Sequence, residues 1–130
     1  MVHLSPEGLL VALGVPLEVQ KQLSPKEVAQ LNAFLESIVP MGARRNGQLL
    51  EQHMSEYDAE QIHNIQAPTL ILHARDDTLI SFEQGEFTAR NIPGAQFIPM
   101  DKGGHLALMI DINAGAKEKV LEFLEQHNSQ

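Results

Sequence analysis

Two polar loops carry the residues whose types and spacing could do chemistry. One is "ARDDTLIS" (residues 74–81), with the adjacent carboxylates Asp76 and Asp77; the other is "DKGGHLAL" (101–108), with His105. An aspartate beside a histidine is the orienter-and-base pair of nucleophilic catalysis. The carboxylate accepts the proton-bearing ring nitrogen, fixes the tautomer, and stabilises the imidazolium formed when the other nitrogen takes a proton. Gly103 and Gly104 allow a tight turn just before the histidine. Beside Asp77, Asp76 reads as a solvated neighbour or turn cap.

These loops need a scaffold that brings them together. "TLILHA" (69–74) is a short apolar run after a proline, which predicts a strand buried on both faces. "FEQGEFTARNI" (82–92) reads as a helix with an internal Gly85, "PGA" as a turn, and "QFIPM" (96–100) as a second strand. "AGAKEKVLEFLEQH" (114–127) reads as a closing helix that packs Val120, Leu121, Phe123 and Leu124 and turns Lys117, Glu118, Lys119 and Glu122 to water. Strand, helix, strand, helix predicts an α/β arrangement, βαβα with parallel strands. In such sheets ligands bind beyond the carboxyl ends of the strands, where both loops fall.

Upstream of residue 62 the chain reads as helices. Ser5-Pro6-Glu7 is a start signal. "SPKEVAQLNAFLESIV" (24–39) has Ser24 as cap, Pro25 in the first turn, Glu27 closing a capping box, and Val28, Leu31, Leu35 and Ile38 on one face. "GQLLEQHMSEYDAEQI" (47–62) is a further expected helix. Residues 1–61 therefore form one expected unit and 62–130 another.

The motifs in order, "IQAPTLILHARDDTLISFEQGEFTARNIPGAQFIPMDKGGHLALM", resemble the last third of an α/β-hydrolase-fold enzyme. That family runs I-x-x-P-T-L, a strand ending H-G-x-x-D, then I-P-G-A, a strand and G-G-H. Asp77 and His105 stand 28 residues apart, a separation common in the family, and "VLEFLEQH" is similar to its closing helix. Residues 1–61 resemble, less closely, the helical cap of some members. The resemblance implies a partial α/β-hydrolase fold, with Asp77 as the triad acid and His105 as the base. It implies an ester-like small-molecule substrate and no cofactor. Some capped members cleave carbon–carbon bonds, epoxides or haloalkanes, the last two with an aspartate nucleophile.

The chain departs from the pattern at three points. Ala74 replaces the usual glycine, Ser81 replaces the usual proline, and no serine lies in the G-x-S-x-G elbow that exposes the nucleophile. Nor is there an H-G-G-type oxyanion loop. The nucleophile is expected upstream of Met1, on an N-terminal hydrolase half. Two strands alone leave an open sheet edge, so either that half or self-association is expected to complete the sheet. The alternative is a non-catalytic assembly domain that keeps the scaffold.

Other candidates are weaker. Ser81 has no elbow. His53, His63 and His73 with Asp76 and Asp77 include no i, i+4 pair of histidines, so no metal is expected. Arg44 and Arg45 read as a solvated pair, and Leu106, Leu108 and Met109 as packing residues. The 130 residues carry a net charge of -8, which disfavours nucleic acid and anionic membrane as partners. There is no cysteine, hence no disulfide or thiol nucleophile. No apolar run reaches the ~18 residues of a membrane span. "MVHLSPEGLLVALGVP" lacks a basic flank and a cleavage site, so no signal peptide is expected and the cytoplasm is the expected compartment.

Overall fold

The computed structural model describes residues 5–38, 59–110, 112–113 and 115–128. The first stretch is helical because its caps and punctuation are in place. The Ser5 hydroxyl accepts the Gly8 N–H at 3.1 Å, and Pro6 opens α1 (Pro6–Ala12). Gly14, with φ of 73°, turns the chain into the short α2 (Leu17–Gln20). The expected capping box then starts α3 (Pro25–Ile38): Ser24 Oγ accepts the Glu27 N–H at 3.3 Å, and the Glu27 carboxylate accepts the Ser24 N–H at 2.7 Å.

Leu31 and Leu35 of α3 are buried with Leu10, Val15 and Val19. Ile110 joins the same cluster from far along the chain, with Leu106, Met109 and Ile112 packed around it. The helical segment is thus held to the stretch that follows His105. Val28, expected on the buried face, is exposed instead. It lines an open groove with Leu10, Leu17 and Leu23, which no element among the described residues covers.

The second half contains β1 (Leu70–Ala74), α4 (Phe82–Asn91), β2 (Gln96–Met100), a 3-10 segment (Gly104–Met109) and α5 (Ala116–His127). The strands pair in parallel, Leu70 opposite Gln96 through Ala74 opposite Met100. Beyond the last pair the Arg75 N–H donates to Met100 O at 2.9 Å, so the two following loops leave the sheet side by side. Helices, a parallel sheet and this connection order are those of a partial α/β-hydrolase fold.

Three further expectations need correction. The strands are not buried on both faces: among their residues only Ala74 and Met100 are fully buried, because two strands cannot cover each other's edges and faces. In α5, Leu121 and Leu124 are 59% and 56% exposed, since the helix docks through its first residue, Ala116, against Ala74, Met100 and Ala107. Ala59–Asn64, expected to end an α-helix, winds as a 3-10 turn. Residues 47–58 of that expected helix lie outside the described residues, as do Arg44, Arg45 and His53. No helix among the described residues is long and apolar enough to cross a membrane.

Candidate functional site

The loop after β1 and the loop after β2 meet. His105 Nδ1 lies 2.9 Å from Asp77 Oδ2. The Asp77 side chain is only 4% exposed, whereas that of His105 is 39% exposed. The other carboxylate oxygen, Oδ1, accepts the N–H groups of Leu79 at 2.8 Å and Ile80 at 3.0 Å. This is an Asx-type turn, in which an aspartate satisfies the backbone just beyond it. Burial pushes the Asp77 carboxyl pKa up. The hydrogen bonds from Ile80, His105 and Leu79, together with the nearby imidazole, outweigh that effect and hold it below its ordinary value.

An ionised carboxylate only accepts hydrogen bonds, so His105 Nδ1 must carry the proton in this contact. In the neutral ring that leaves a lone pair on Nε2. No group among the described residues is hydrogen bonded to that atom, and the imidazole stands at the surface. The pair can therefore accept and return a proton at Nε2 while Nδ1 stays anchored.

Two supports were not legible beforehand. Asp76, read as a solvated neighbour, reaches across to the second loop: its Oδ1 accepts the Gly104 N–H at 2.8 Å and its Oδ2 the Gly103 N–H at 3.2 Å. It bridges the acid loop to the histidine loop. The signal in the sequence is two adjacent carboxylates in one loop and two adjacent glycines in the other. The second support is the Gly14 turn, whose carbonyl accepts the His105 N–H at 3.0 Å. A Cβ on Gly14 would sit 2.9 Å from His105 Cβ and 2.9 Å from Leu79 Cβ, so only glycine permits this approach. The helical segment thus forms a wall of the site.

Of the other candidates, His73 is also beside Asp77, with Nε2 3.5 Å from Oδ2. His63 is exposed on the 3-10 turn. Among the described residues no group of three His, Asp or Glu side chains is arranged to hold a metal ion. Leu106 and Met109 pack as expected, while Leu108 is exposed. The described serines are engaged elsewhere. Ser5 and Ser24 cap helices, Ser37 Oγ donates to Phe34 O at 2.6 Å, and Ser81 stands at the N-terminus of α4.

A family model described as TAP-like protein matches residues 50–129, more than half of the chain. The putative carbamate hydrolase RutD of Pseudomonas savastanoi pv. phaseolicola is 32% identical over 59 residues, covering 45% of this chain. Those residues span 23% of that relative's length.

Proposed function

The chain belongs to the TAP-like family of α/β-hydrolases, and from that footing we propose that it carries the proton-handling part of a Ser-His-Asp triad. Asp77 is the orienting acid and His105 the base. The serine stands outside these 130 residues, since none of their serines lies in G-x-S-x-G. The N-terminal part of a hydrolase supplies it, either as a further stretch of one longer protein or as a separate chain. Residues 1–61 act as cap and 62–130 as the closing part of the core.

The observation that carries this reading is the 2.9 Å contact between His105 Nδ1 and Asp77 Oδ2, with the ring at the surface. In the reaction His105 Nε2 takes the serine hydroxyl proton as the oxygen attacks a substrate carbonyl. It then gives that proton to the leaving group, producing an acyl-enzyme. A water molecule repeats the sequence, and its proton passes through Nε2 to the released serine. Asp77 stays ionised throughout. The substrate class is an activated carbonyl, either an ester or a carbamate. The similarity to a putative carbamate hydrolase supports the latter.

The test is to join these residues in frame behind the N-terminal part of a TAP-like hydrolase that carries G-x-S-x-G, and to assay p-nitrophenyl esters. Turnover that His105→Ala abolishes is expected. A folded, inert product would favour the second reading, a non-catalytic assembly domain.

A further inference from the structure

The His73 side chain has no part in the proton transfer proposed for Asp77 and His105, yet it lies beside Asp77. The residue sits on β1 with its side chain 11% exposed. Its Nε2 lies 3.0 Å from Ile80 O and 3.5 Å from Asp77 Oδ2. Its ring meets Phe82 edge-on, with centroids 5.9 Å apart and planes at 85°. On the far side it rests against Gly85 of α4: a Cβ there would fall 2.6 Å from His73 Nδ1. That contact accounts for a glycine in the middle of a helix, where it weakens the helix relative to alanine.

We propose that His73 is a positioning residue, a latch that donates Nε2–H to Ile80 O and so fixes the turn through which Asp77 is aimed at His105. The proposal rests on the reading of Asp77 and His105 as a working pair. A carbonyl oxygen only accepts, so the Ile80 contact requires the proton on Nε2 of His73. The Asp77 contact requires it on Nδ1 of His105. Two histidines flanking one carboxylate must therefore hold opposite tautomers. The latch also bears on Asp77 directly. Ile80 donates its N–H to Asp77 Oδ1 and its carbonyl receives His73, so release of the carbonyl loosens the N–H as well. Glu83 and Arg75 are the charged neighbours on this side. Glu83 lies within electrostatic reach of His73, and the Arg75 guanidinium sits 4.4 Å over the Phe82 ring.

The experiment is long-range 1H–15N correlation NMR on the 130-residue chain, at a pH where both rings are neutral. The expected result is Nε2–H for His73 and Nδ1–H for His105. Nδ1–H on His73, with His105 as expected, overturns the latch alone. Nε2–H on His105 overturns the pair on which the latch rests. A second measurement follows the Asp77 carboxyl carbon through an acid titration in His73→Phe, which keeps the ring packing, and in His73→Gln, which keeps a donor. His73→Phe is expected to raise the Asp77 midpoint and erase the fixed His105 tautomer, and His73→Gln to restore both in part. An unmoved midpoint in His73→Phe overturns the proposal. The wild-type tautomers decide it if that variant does not fold.

Discussion

Asp76 Oδ1 and the Gly104 N–H, 28 residues apart in sequence, meet at 2.8 Å, and this bond ties the acid loop to the histidine loop. Together with the 3.2 Å bond to Gly103, it gives one carboxylate two backbone donors from the opposite loop. Hydrogen bonds to a charged group contribute about 1.5–3 kcal/mol each at most sites. Asp76→Ala is expected to destabilise the chain by about 2 kcal/mol or more in urea unfolding. Asp76→Asn is expected to fall between, because one of its two positions becomes a donor facing an N–H. Wild-type stability in Asp76→Ala would contradict the bridge.

The Asp77 carboxyl is held below its ordinary value of 3.8 in the folded chain. A carboxyl with a depressed folded pKa adds stability that is present above the unfolded value. That stability is lost as pH falls through the folded one. Wild type and Asp77→Asn should therefore differ most near neutral pH and converge below about pH 3.8. Urea midpoints across the acid range check this, and a gap that widened on acidification would reverse the assignment.

Gly104 and Gly94 both have positive φ, 60° and 72°, but their surroundings differ. A Cβ on Gly94 meets nothing within 4 Å, whereas one on Gly104 would run into the carbonyl of Gly14 and lie 2.8 Å from Pro16 Cδ. Gly94→Ala is expected to cost only the left-handed penalty, about 1–2 kcal/mol. Gly104→Ala must also part the helical segment from the histidine loop, and a loss above about 4 kcal/mol is expected. Equal losses in thermal unfolding would mean that the Gly14 turn does not pack on the site.

Leu121 and Leu124 stand exposed on α5, and among the described residues both strands of the sheet are edge strands. The chain alone is expected to self-associate, with apparent mass rising with concentration in sedimentation equilibrium. Leu121→Glu with Leu124→Glu should shift it toward the monomer while leaving the melting temperature nearly unchanged, as at other exposed sites. A constant monomer mass over a wide concentration range would count against this.

In the joined enzyme, Asp77→Asn should leave substrate binding intact and lower kcat by about 10⁴-fold, the scale expected when a triad histidine loses its orienting acid. A change confined to KM would assign Asp77 to substrate contact instead.

The local elements were legible where short-range rules decide them. Pro25 and the Ser24–Glu27 box start α3 as expected, and "QFIPM" is strand along its whole length. The meeting of Asp77 and His105 followed from placing both loops beyond parallel strands. What the sequence could not reveal depends on coverage and on distant partners. Periodicity marks Leu121 and Leu124 as one apolar face of a helix, but whether anything covers that face lies outside the pattern. Nothing local to Asp76 points to Gly104. Nothing local to Gly14 points to His105, which it meets 91 residues away through a backbone bond. Nothing local to His73 points to its contacts with Gly85 and Ile80, which together fix its ring.

Whether the nucleophile lies off this chain is decided by the intact mass of the folded 130-residue chain after a fluorophosphonate, with His105→Ala as control. With acid and base on this chain and the nucleophile elsewhere, an unmodified mass is expected in both proteins. A single stoichiometric adduct on the wild type that vanishes in His105→Ala would contradict it, and the labelled residue would be the nucleophile.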